Sequence, residues 1–300
     1  MLARSEAKDP AAAAVAAPPR KSWLGHVRYV LLSNPVTLIA FSLLLLILTA
    51  ALIGPYIVPY DPLATLPGQQ LRPPSWQHWF GTDQLGRDIF SRVVVAARLD
   101  LMLSVAAVAL SFVIGSALGS VAGYYGGWVD TVVGRVCDTI MAFPLFVLAM
   151  GIVAALGNTI ENIIYATAII NLPFYARMAR AEVSIRRNAG FVQAARLTGN
   201  GDWRILSLQV FPNALPPMMV QVSLNLGWAI LNAAGLSFIG LGVRPPTPEW
   251  GIMVAEGANY IISGEWWVAL FPGLALMLAV FTFNLLGDGL RDIVDPQRRT

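Results

Sequence analysis

Four amide side chains, Asn171, Gln221, Asn225 and Asn232, sit inside long apolar stretches, where an unsatisfied hydrogen-bonding group is costly. Gln221, Asn225 and Asn232 are spaced by four and seven, so they share one face of a helix. An uncharged amide both donates and accepts, so such a row can solvate polar groups inside an apolar layer while holding them weakly. The same groups can instead bond neighbouring helices to each other. A second polar stretch, residues 193–212, reads QAARLTGNGDWRILSLQVFP between two apolar segments. Its chemistry is contact. Ala194 and Ala195 let another surface approach closely, and Arg196 and Arg204 can pair with carboxylates of a partner. Gly199 supplies a positive φ at a helix end, Asp202 is placed to cap a second helix starting near Trp203, and Pro212 is placed to stop it.

Bond-breaking chemistry finds no residues to carry it. The two histidines, His26 and His78, lie outside the apolar runs, and neither an HExxH nor a GxSxG pattern occurs, which disfavours an intramembrane enzyme. The lysines, Lys8 and Lys21, follow no phosphate-binding glycine pattern, so the chain does not hydrolyse ATP. One cysteine, Cys137, excludes an internal disulfide. A secondary carrier would show buried ionisable groups or paired broken helices, and neither is evident.

The elements that must hold these residues are set by composition. Of 300 residues, 56% are hydrophobic and 12% charged, with a mean hydropathy of +0.63, which marks a membrane protein. A spanning helix needs about 20 apolar residues. Runs near 36–58, 101–123, 139–156, 160–179, 213–240 and 268–286 satisfy this, the fourth being the most polar because Glu161 and Arg177 bound it. With the N-terminus inside and six spans, 15 of the 20 Lys and Arg residues fall on the inner side and 5 on the outer, the bias expected of cytoplasmic loops. The net charge of +3 therefore reports topology, and its basic residues are not interleaved with aromatics as a nucleic-acid surface requires.

Along the chain, residues 1–33 read as a cytoplasmic tail and amphipathic lead-in, 34–58 as the first transmembrane helix and 59–100 as an extracytoplasmic loop. Residues 101–290 form the transmembrane core, with a polar loop at 188–212, and 291–300 a cytoplasmic tail. Near the end of the extracytoplasmic loop, Leu85, Ile89, Val93 and Ala96 give an apolar face, opposite Asp83, Arg87, Asp88 and Arg92, as in a solvated helix laced with ion pairs over the mouth of the bundle, or in a docking or gating element. Ser111, Gly115, Gly119 and Gly123 recur every four residues, a small-residue face for helix packing within the subunit or against a sister. Pro144 and Pro173 are expected to kink the third and fourth spans.

Several stretches together resemble one family. NPVTLIAFSLLLLIL from Asn34, IVPYDP from Ile57, HWFGTDQLGRDIFSR from His78, GYYGGWVD from Gly123, NALPP from Asn213 and LSFIGLGVRPPTPEWG from Leu236 are similar, in order, to the C-type membrane subunit of bacterial dipeptide and oligopeptide ABC importers. The stretch from Gln193 resembles that family's EAA loop, with Gln193 in the place of the glutamate. The resemblance implies an all-α, polytopic protein with six transmembrane helices of the type I ABC importer permease fold, both termini cytoplasmic, in a bacterial inner membrane. It implies a homologous second permease, two cytoplasmic ATPases that bind ATP and magnesium, an extracytoplasmic solute-binding protein and a peptide substrate. This chain would bind no cofactor or metal itself and contact only protein, cargo and membrane lipid. A nickel or glutathione importer built on the same plan is the alternative. Residues 193–212 then read as the ATPase-coupling loop, and the four amides as part of the translocation path.

Overall fold

The computed structural model describes residues 34–294, and side chains as far as Arg291. The expected N-terminal tail and lead-in, and most of the C-terminal tail, lie outside the described residues.

Asn34 opens the first helix, α1 (Pro35–Ile57), accepting a bond from the Val36 N–H at 3.0 Å with Pro35 at the first helical position. The second, α2 (Ile89–Tyr125), starts at Asp88, whose carboxylate accepts from the Ser91 N–H at 2.8 Å. It is followed by α3 (Gly127–Met141), α4 (Leu145–Leu156), α5 (Ile160–Arg186) and the short α6 (Gly190–Leu197). A long helix, α7 (Asp202–Phe238), then leads through a loop to α8 (Trp250–Ala258), and α9 (Trp267–Val294) closes the described chain. Among the described residues there is no strand, only an isolated bridge between Thr82 and Asp88. Helices α1, α2, α7 and α9 are long and apolar enough to cross a membrane.

The structure departs from expectation at three places. The third apolar run is not one helix: α3 and α4 meet at 88°, because Pro144 lacks the N–H that would carry the helix past Phe143. Pro173, by contrast, lies inside an unbroken α5. Pro212 does not stop the helix that begins near Trp203. Just upstream, residues Leu206–Val210 form a π turn, in which the Phe211 N–H reaches Leu206 O. The wider turn absorbs the donor that proline lacks, and the helix runs on to Phe238.

The third departure is in the loop before α2 and the start of that helix. Asp83, Arg87, Asp88 and Arg92 are buried rather than solvated, each at most 3% exposed. Arg87 donates to Asp83 at 2.6 Å and to Glu256 of α8 at 3.2 Å, and Arg92 donates to the carbonyls of Pro62 and Pro246. His78 bonds Asp88 at 2.8 Å through Nδ1. The expected helix is also shorter than the periodicity suggests: it starts at Ile89, so Leu85 lies exposed in the preceding turn and Arg87, still in the loop, reaches a partner 169 residues away. This network ties the loop, the start of α2 and α8 into one cap.

The core is built around α2 and α5. A Cβ added at Gly115 would stand 2.7 Å from the Leu172 carbonyl, and one at Gly123 2.5 Å from that of Arg180. Gly119 lies against the Ala176 backbone more closely still. Ser111, on the same face, is buried and bonds the Val108 carbonyl.

Candidate functional site: a polar knob and an amide-lined cavity

The knob is α6 and the first turn of α7. Val192 and Ala195 turn inward onto Ile205, Leu206 and Val210 of α7, Ala179 and Val183 of α5 and Tyr124 of α2, forming one apolar cluster. Its turn is fixed at Gly199, with φ of +83°. The Asn200 N–H bonds the Ala195 carbonyl at 3.2 Å and the Gly199 N–H that of Arg196 at 3.0 Å, the Schellman arrangement of a helix C-terminus. A Cβ at Gly199 would meet nothing within 4 Å, so the glycine is required by its dihedral rather than by space.

Asp202 does not cap α7 as expected. It is the first helical residue, after a Gly201 N-cap without a side-chain bond. Its carboxylate instead accepts from the Tyr124 hydroxyl at 2.7 Å while lying in the first turn, where the helix dipole favours negative charge. Arg196 donates to the same hydroxyl at 3.2 Å, lies over the Tyr124 ring and faces Asp202 at 3.8 Å. Arg196 is thus already engaged within the chain, whereas Arg204 is exposed and forms no ion pair among the described residues. Gln193 is exposed and donates to the Asn188 carbonyl at 3.2 Å. Ala194 faces outward, and Pro212 is exposed within α7.

Two features of the knob were missed in the sequence. Tyr124 is the latch holding both halves of the turn, and nothing in the spacing linked it to residue 202. The outward face is apolar as well as basic: Leu197 is 89% and Trp203 67% exposed, beside Phe191. A leucine directly before the turn, in a polar stretch, was the available signal. Tyr124→Phe should weaken the knob by about 1 kcal/mol for the lost hydrogen bonds, read as faster amide hydrogen exchange confined to residues 190–205.

The second feature is a cavity of about 360 Å³ between α4, α5 and α7, into which Asn171, Gln221, Asn225 and Asn232 all open, with Leu145, Phe146, Ile170, Phe174 and Trp228. None of these lining residues is charged. Asn171 and Asn232 donate to backbone carbonyls one turn earlier, and Gln221 donates to the Asn225 side-chain oxygen at 3.2 Å. The Asn225 side-chain nitrogen is buried without a partner at hydrogen-bonding geometry, although the Tyr175 hydroxyl stands near this side chain. A buried N–H donor left open in an uncharged, aromatic-walled cavity can donate to a neutral carbonyl.

Knob and cavity share their helices. The cluster beneath the knob is made from α5 and α7, and the same two helices carry all four amides further along. Knob and cavity walls are therefore joined through two continuous helices.

Comparison with known proteins gives this arrangement relatives. The model of the family described as binding-protein-dependent transport system inner membrane component matches residues 115–300, and that of the N-terminal TM domain of oligopeptide transport permease C matches 22–74. A probable D,D-dipeptide transport system permease protein of Escherichia coli K12 is 42% identical over 269 residues, covering 90% of both chains. A dipeptide transport system permease protein of Alkalihalophilus pseudofirmus is 41% identical, covering 89% of this chain and 88% of that one. A glutathione transport system permease protein of Pectobacterium atrosepticum is 38% identical, covering 95% and 93%.

Proposed function

Because the chain belongs to the family of binding-protein-dependent transport system inner membrane components, we propose that it forms half of a peptide translocation path, worked through the knob by separate ATPases. It is a permease subunit of an ATP-driven importer in the inner membrane. In this reading six segments cross the bilayer, with α5 and the bent α3–α4 pair completing the set and both termini cytoplasmic. The knob then faces the cytoplasm, and α8 with its loop faces the solute-binding protein. A homologous permease supplies the other half of the path, and the ATPases hold ATP and magnesium. The single observation that supports this most is the shared pair of helices, α5 and α7, joining an exposed apolar knob to an uncharged amide-lined cavity.

Leu197 and Trp203 are the anchors of the knob, fitting an apolar groove on a partner, and Arg204 gives that groove an acidic rim. The neutral Gln193 stands where the family's loop has glutamate, so contact here relies on shape rather than on that charge. The cargo is a di- or oligopeptide. Amides without charge suit a peptide backbone, while a nickel ion would need ligands, and no group of three or more His, Cys, Asp or Glu side chains able to hold a metal occurs among the described residues. Glutathione, named for one relative, is itself peptide-like and fits the same amides.

The test is uptake by the complete transporter in proteoliposomes. Asn225→Leu should lower dipeptide uptake about fivefold, the loss of one hydrogen bond worth about 1 kcal/mol, while assembly and basal ATP hydrolysis persist. Loss of assembly with normal uptake per surviving complex would make Asn225 a packing residue and remove it from the path.

A further inference from the structure

Two carboxyl groups outside both knob and cavity are buried together where α2 meets α8. Asp100 of α2 is 1% exposed, and Glu249, immediately before α8, is fully buried. Glu249 caps α8, accepting from the backbone N–H groups of Gly251 at 2.9 Å and Ile252 at 2.8 Å. Asp100 accepts one backbone bond through Oδ2, from Trp250 at 3.1 Å. Its Oδ1 is buried with no donor, and because Glu249 directly precedes Trp250, the backbone bond from Trp250 sets the two carboxyl groups close together in the same buried junction.

No cation neutralises them: among the described residues neither carboxylate takes part in an ion pair. The surrounding elements add none: Arg244, on the loop that leads to Glu249, is exposed and forms no ion pair with either carboxylate. On α2, Arg92 is committed to Asp83, Glu256 and two carbonyls, and Arg98 is exposed. On α8, Glu256 is held by Arg87 and Arg92. From α7 the pair meets Ser237, Glu265 ahead of α9 bonds Ser263, and the described charges of α9, Asp288 and Arg291, stand at its other end.

We propose that the junction is a proton-binding site, in which Asp100 carries a proton on Oδ1 and donates it to the Glu249 carboxylate, locking α8 onto α2. Two ionised carboxylates close together and out of water repel too strongly to coexist. Glu249, with two backbone donors, is the better holder of the charge, and Asp100, with one, is the better holder of the proton. Burial also holds the Glu249 carboxyl above the usual carboxylate range. An acid whose affinity for protons rises on folding stabilises the fold at low pH and loses that contribution as pH climbs through its folded value. The lock therefore weakens on the alkaline side.

The experiment uses the assembled transporter in nanodiscs. Infrared spectra of the wild type near neutral pH should show a protonated-carboxyl carbonyl band that disappears as pH is raised and is missing in Asp100→Asn. That variant keeps a permanent N–H donor toward Glu249, so its thermal unfolding should lose the alkaline decline of the wild type. A wild type with no protonated-carboxyl band at neutral pH overturns the proposal, and this reading needs no variant to fold. So does a melting temperature that rises with sodium at fixed pH in the wild type only, which would place a metal cation between the two carboxylates.

Discussion

Gly199→Val should insert and assemble with its partner permease yet support no ATP-driven uptake. The glycine stands at φ +83°, a left-handed conformation that an L side chain adopts at a cost of about 1–2 kcal/mol, and more for a β-branched one. The space around it is open, so the strain lies in the dihedral alone and is relieved by leaving the left-handed region. Doing so breaks the two bonds that end α6, from Asn200 to Ala195 and from Gly199 to Arg196, and re-aims Leu197 and Trp203. The helices that cross the membrane are untouched, so folding survives where docking does not. Gly201→Ala is the matched control, since Gly201 has an ordinary φ of −71° and open surroundings. Co-purified ATPase and peptide uptake should fall to background in the first and stay near wild type in the second. Full uptake by Gly199→Val would show that the shape of the knob carries no coupling.

That experiment also separates what spacing alone can say about this chain from what it cannot. The turn at Gly199 and the row of small residues from Ser111 to Gly123 were legible because each follows from a local rule, a positive φ in one case and an absent Cβ in the other. The amides of α7 were legible as a row, but Asn171 joins them from α5 across a cavity that no periodicity encodes. The failures share a cause. Asp83, Arg87 and Arg92 have the period of a solvated helix, yet their partner is Glu256, far along the chain. Asp202 sits where a cap belongs, yet Tyr124 of α2 claims its carboxylate. Pro212 has the form of a stop signal, overridden by a π turn that lies upstream of it. In each case a long-range or cooperative contact outweighed a local preference, as it does wherever burial supplies most of the stabilisation.

The same reasoning makes Gly119→Leu a severely damaging change where α2 packs on α5. A leucine there would drive its Cβ into the Ala176 backbone, with the Cα and carbonyl carbon of that residue 2.8 Å away. The obstacle is main chain, so no rotamer change clears it; α2 and α5 must separate along the length where Gly115 and Gly123 also hold them in backbone contact. Overpacking commonly costs about 1–3 kcal/mol, and a clash with a rigid helix backbone belongs at or beyond the top of that range. Separation also reaches the function, because α5 carries Asn171 and, through Ala179 and Val183, the floor of the knob. Purified complexes should show a melting temperature lowered by several degrees and little recovered assembly. Gly134→Ala on α3, where an added Cβ meets nothing within 4 Å, should behave as wild type. A stable, fully assembled Gly119→Leu transporter would mean that α2 and α5 do not meet at this face in the membrane, and the shared-helix route from knob to cavity would fall with it.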